Sequence, residues 1–247
     1  MTTVSYKRIK IPFFLSFVLR AGVLLLYLPF SHPLFAQDKK TFQVNPGEKV
    51  YDVISPADRY SYPTFLKGRV YFRNGSIGGS MLNYNKLLAS LEFIDPKGDS
   101  LLLDQLEEIR YVVIAADTFF MDKICIKQID RSKDIRLAEL RVIQLNNIKH
   151  VGAMGLPTDA AVDAFTTISS RATTLIELVP NEIAIFKEQV IYYLGNSFGQ
   201  FKQANKKNLI ALFGNNKSQI TDYLEKNNVN FFNEAEMRKL MIYISTL

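Results

Sequence analysis

FLKGRVYFRNGSIGGSMLNYN, residues 65–85, sets Gly75, Gly78 and Gly79 among aromatic and β-branched residues. Two readings compete for these glycines. A phosphate loop needs backbone N–H groups converging at a helix N-terminus, usually with Lys and Ser or Thr at fixed places. The stretch matches neither G-x-x-x-x-G-K-[ST] nor G-x-G-x-x-G, and SMLNYN after it is extended rather than helical. Asn74-Gly75 between apolar runs is instead a strong hairpin signal. A two-residue turn there places Phe72 opposite Ile77, Tyr71 opposite Gly78 and Val70 opposite Gly79, each large side chain covering a bare glycine. The stretch is read as the first hairpin of a β-domain.

The same texture continues to about Leu145. SLEFI leads into DPKGD, where Pro96 suits a type I turn and Gly98 tolerates positive φ. SLLL, IRYVVIA, TFFM and KICIKQI follow as short apolar runs. DIRLAELRVIQL, residues 134–145, has a mixed period and reads as either strand or helix. PTDAAVDAF, residues 157–165, is expected to hold a short helix capped by Thr158. TTLIELVPNEIAIF reads as a further hairpin turning at Pro180 and Asn181, and QVIYYLG extends it. This spacing predicts an antiparallel meander forming a sandwich or barrel.

The last 45 or so residues change to helical period. Leu209, Ile210, Leu212 and Phe213 mark one helix, and Ile220, Tyr223 and Leu224 a second. Asn233 with Glu236 three residues later forms a capping-box-like start for a third. Its apolar residues Met237, Leu240, Met241 and Ile244 fall at i, i+3, i+4 and i+7, a single stripe. The predicted class is α+β: a polar lead-in over 37–64 with little regular structure, an antiparallel β-rich domain over 65–200 and a helical module over 201–247.

Residues 1–36 carry Lys7, Arg8, Lys10 and Arg20, no acidic residue, an apolar run AGVLLLYLPF and a cleavage-like HPLFAQ. That order is a secretory signal peptide cut near Ala36. Ten apolar residues are too few to span a bilayer, so no transmembrane segment is expected after the cut. Removing four basic residues leaves 26 basic against 24 acidic ones, a net charge of +2 in place of +6. The basic balance thus belongs largely to the leader, and nucleic acid is not an expected partner. An outer-membrane barrel fits poorly with a chain ending in helices.

YPTFLKGRVYFRNGSIGGSMLNYN with LEFIDPKGDSL, VGAMGLP and the ending KKNLIALF to LMIYI resembles a group of exported, uncharacterised proteins of Bacteroidota. The resemblance implies export to the periplasm or beyond and brings no activity or catalytic residue.

Few catalytic chemistries fit the composition. His150 is the only histidine after the leader, and no G-x-S-x-G motif accompanies it. One Cys and one His rule against a Cys/His zinc site. Cys125, alternating with Ile124 and Ile126, reads as a buried small hydrophobe. Asp95, Asp99, Asp104, Glu107 and Glu108 are near one another, as a carboxylate-based hydrolase would need, but they flank turns where acidic residues are common. No catalytic, cofactor or metal site is assigned. The expected function is a non-catalytic binding or structural protein of the cell envelope, meeting an envelope protein or glycan. Tyr71 and Tyr84 on the aromatic hairpin, and Met237 and Met241 on the last helix, are the candidate partner-binding residues. The alternative is a secreted hydrolase with a carboxylate site.

Overall fold

In a computed structural model, the described residues are 40–121, 124–151, 157–161, 178–196 and 199–247. The expected leader and the 173–177 arm of the second hairpin lie outside them. Among the described residues twelve strands form one antiparallel sheet. They are β1 (Thr41–Val44), β2 (Leu66–Phe72), β3 (Ile77–Asn85), β4 (Ser90–Ile94), β5 (Ser100–Leu102), β6 (Ile109–Ile114), β7 (Asp117–Met121), β8 (Cys125–Ser132), β9 (Ile135–Val151), β10 (Pro157–Ala161), β11 (Ile183–Gly195) and β12 (Phe201–Gln203). The main path runs β1-β11-β9-β8-β7-β6-β2-β3-β4-β5, with β10 on β9 and β12 on β11. The α+β class therefore holds.

The first hairpin forms with a register one residue from expectation: Tyr71 opposes Ile77 and Val70 opposes Gly78. Gly75 takes positive φ but Asn74 does not, so a type I′ turn, which needs positive φ at both, is not made. Instead the Gly75 N–H donates to the Phe72 carbonyl (3.2 Å) and the Phe72 N–H to that of Ser76 (3.0 Å), a three-residue loop with a glycine bulge. The Asn74 side chain accepts from the Ser76 N–H at 2.9 Å, which holds Asn74 in the turn. Gly78 consequently lies beneath the Phe72 ring, 3.4 Å from where its Cβ would be.

Residues 134–145 resolve as strand, because β9 is paired on both sides, with β8 and β11. Pro157–Ala161 is also a strand, contrary to the expected Thr158-capped helix: its backbone pairs with Asn147–Val151 of β9. Ladder bonds outweigh a weak local helical preference. The lead-in is more structured than expected as well. Beyond β1 it holds two single helical turns, α1 (Val50–Val53) and α2 (Pro56–Arg59), and buries Val44, Val50 and Ile54. Buried Arg59 anchors it, stacking 3.7 Å over the Tyr51 ring and donating to the Ile54 carbonyl at 2.8 Å.

The sheet rolls back on itself. Beyond the first residues of β8, the turn after β3 abuts β9: the Ile143 N–H donates to the Lys86 carbonyl (2.9 Å). The Tyr84 hydroxyl donates to the Arg141 carbonyl at 3.0 Å beside it. Val70, Leu82, Tyr84, Val112, Ile114 and Phe119 fill the inside of the roll. Three helices, α3 (Lys206–Leu212), α4 (Lys217–Asn227) and α5 (Glu234–Ile244), cover one end of β9 and β11. Asn233 caps α5 by accepting from the Glu236 N–H at 3.1 Å. The Glu236 carboxylate reaches back to the Asn230 N–H rather than to that of Asn233, so the capping box is half formed. Met237, Leu240, Met241 and Ile244 pack on Leu137, Tyr192 and Leu194 of the sheet. Each such side chain contributes about 1.5–3 kcal/mol by leaving water. The helical residues and the sheet belong to a single compact unit, Lys39–Leu247.

Candidate functional site

Four cations from four elements surround one cleft on the outside of the roll. Arg73 comes from the β2–β3 turn, Arg110 from β6, Arg136 from β9 and Lys202 from β12. The cleft encloses about 560 Å³, and its apolar wall includes Phe120, Ile126 and Phe201, with Ala211 and Leu212 of α3 on the rim. Among the described residues no carboxylate lines it.

Strand pairing explains the arrangement. Tyr111 of β6 opposes Phe120 of β7, and Phe120 opposes Ile126 of β8, so one row of side chains crosses the outer face. β12 brings in Phe201, opposite Gly195. The Phe201 ring lies where a side chain at 195 would stand: a Cβ there would be 2.7 Å from two ring carbons. Phe120 and Phe201 meet with centroids 5.1 Å apart, and the Arg136 guanidinium lies 5.1 Å from the Phe120 centroid.

Among the described residues Arg110 and Arg136 make no ion pair, and no carboxylate bonds them. The Arg73 Nε donates to the Glu107 backbone carbonyl at 2.8 Å, which aims its guanidinium without neutralising it. Burial lowers the Arg136 pKa and the neighbouring Arg131 and Arg110 cations push it the same way, while Asp134 opposes them more weakly. Like charges crowded beside an apolar wall favour an anion between them.

The residues singled out in the sequence lie elsewhere or are occupied. Met237 and Met241 are fully buried against the sheet, 0% and 1% exposed, so they present no docking stripe. Tyr84 is buried inside the roll, stacked on Phe119 at 5.6 Å. Tyr71 is half-buried and stacks on Tyr111 at 4.4 Å, close to the cleft residues but outside the cleft lining. Cys125 is buried and its thiol is pushed up by burial, as suits a core residue. Asp95 accepts from the Lys97 and Asp99 N–H groups at 2.8 and 2.9 Å, and Asp104 from that of Gln105 at 2.7 Å. These carboxylates hold turns. The side chain of His150 lies outside the described residues.

A different carboxylate is buried. Glu92 accepts from the Tyr60 hydroxyl (2.6 Å), the Asn85 amide (2.8 Å) and the Ser100 hydroxyl (2.6 Å). It ties the lead-in, β3 and β5 together. Burial foremost, and then the bond to Glu92, raise the Tyr60 pKa.

The cleft was not legible as a motif. Its cations are spread over 130 residues of sequence, and only the sheet order brings them together; the one local signal was Arg73 in the opening hairpin. A scan against protein-family models, a search of curated proteins and a search of solved structures each returned no match.

Proposed function

We propose that this is an exported, non-catalytic binding protein of the cell envelope whose cleft takes an anionic ligand. The observation that carries the reading is the set Arg73, Arg110, Arg136 and Lys202 around a cavity with no carboxylate on its described lining. Guanidinium groups bind carboxylate, sulfate or phosphate in bidentate fashion, and the apolar wall strengthens each contact by lowering the local dielectric. The leader-like N-terminus and the resemblance to exported Bacteroidota proteins support the location.

Equilibrium binding of the chain from Gln37 onward to dextran sulfate tests the site. Saturable binding that weakens as salt rises is expected. Affinity should fall at least tenfold in the Arg110→Ala/Arg136→Ala double variant, with the thermal midpoint unchanged or slightly raised. Unchanged affinity in that variant refutes the site. Cell fractionation tests the location, and an intact cytosolic chain would refute export.

A further inference from the structure

We infer that the ligand of this cleft is a segment of acidic polysaccharide, a chain of sugar rings bearing carboxylates, which rests on the anion-binding reading above. The cleft is one end of a longer track. From Phe201 the rings continue through Phe120 to Tyr111 (centroids 6.3 Å apart) and on to Tyr71, 4.4 Å further. The track crosses β12, β7, β6 and β2, and cations accompany it: Arg136 over Phe120, and Arg110 with its guanidinium 6.0 Å from the Tyr111 centroid. Rings and positive charges alternating along a line match a linear polymer that repeats a ring and an anion.

The volume agrees with such a segment. About 560 Å³ falls within the range of roughly 300–1,000 Å³ typical of sites that enclose a ligand of drug size. That is larger than one inorganic anion needs. Cations on four separate elements can also meet more than one anionic group at once.

The ring geometry favours sugar over a nucleic acid strand. Single-stranded nucleic acid binds by stacking successive bases on free aromatic faces. Here Tyr71 and Tyr111 stack on one another at 23°, and Arg136 covers Phe120. Each of these rings already has one face taken. Sugars need less of a flat platform, because their hydroxyls and carboxylates find guanidinium donors while their C–H groups meet apolar side chains. The net charge of +2 without the leader likewise gives no broad phosphate-binding surface.

The test is titration of the chain from Gln37 with four probes at fixed salt: an oligogalacturonate, a neutral oligosaccharide of equal length, an oligo-dT strand and dextran sulfate. The oligogalacturonate is expected to bind at least tenfold more tightly than the neutral sugar and the oligo-dT strand. Arg110→Ala/Arg136→Ala should remove that gain. Phe201→Leu, which keeps an apolar group in the cluster, should weaken the oligogalacturonate several-fold. Oligo-dT binding without oligogalacturonate binding overturns the sugar assignment, and dextran sulfate binding without oligogalacturonate binding overturns the assignment to a carboxylate-bearing chain; either leaves the anion cleft standing. Failure of every anion to bind, or binding indifferent to the double variant, overturns both.

Discussion

Two groups of charged side chains on opposite faces of the same sheet make opposite use of their charge. Inside the roll Lys86, Glu188, Arg141, Glu139 and Lys127 form an alternating row, linked at 3.3, 3.2, 3.2 and 3.1 Å. Each charge meets an opposite one, and Glu139 is only 4% exposed between its two cations. Outside, Arg110 and Arg136 have no such partner among the described residues. The row ties β8, β9 and β11 to the turn after β3, whereas among the described residues no carboxylate lines the cleft. A paired carboxylate, more than the number of cations, is what distinguishes the inner row from the cleft.

The largest expected effect comes from breaking the inner row. Glu139→Gln leaves Lys127 and Arg141 without their shared carboxylate. Those cations are about 30% exposed, so the cost should be about 2–3 kcal/mol, between that of a buried and an exposed pair. Denaturant midpoints would measure it, and dextran sulfate binding should be unchanged. A variant as stable as the parent would show that the row is ornamental to the fold and erase the contrast.

Gly195→Ala acts on the outer face. Its Cβ meets the Phe201 ring at 2.7 Å, so the ring must move, at a cost of about 1 kcal/mol in overpacking. Oligogalacturonate affinity should fall with it, since Phe201 forms part of the cleft wall. Reduced stability with intact affinity would separate Phe201 from the site.

The smallest effect within ordinary working conditions concerns pH. Burial raises Tyr192 to about 12, and it raises Tyr60, Tyr62 and Tyr84 as well. An unfolded phenol titrates at about 10. These groups therefore stabilise the fold fully below that value, and the stability is lost as pH climbs from about 10 through 12. The chain has no tryptophan, so tyrosinate absorbance reports the phenols directly. A single titration of all tyrosines near 10 in the folded protein would contradict the burial pattern.

Local patterns carried much of the fold. The stripe at Met237, Leu240, Met241 and Ile244 and the cap at Asn233 are set by neighbours in sequence, and both formed. What the stripe covers is a tertiary fact: it meets Leu137 and Leu194, more than 40 residues away, and that contact turned an apparent docking face into core. The register of the first hairpin depended on whether Asn74 took positive φ, which its own hydrogen bond to Ser76 decided. Strand β9 was ambiguous because DIRLAELRVIQL satisfies either period until β8 and β11 pair with it. Arg110, Arg136 and Lys202 carried no signal at all, being single basic residues in unrelated strands.

The seam at Lys86 and Ile143 has a consequence in time. Tyr84 reaches the Arg141 carbonyl across 57 residues of chain, whereas most neighbouring strands join through short turns. The entropy of closing so long a loop must be met before the contact returns anything. The meander from β2 to β8 shortens that search as it forms, because each added strand brings β9 nearer to the waiting turn. Sealing is then expected as a late step of folding, one that completes the ion row and encloses Leu87 together. Reversed, the same step is the cheapest way to open the roll, so amide exchange at Ile143 should outpace that of its fully laddered neighbours in β9.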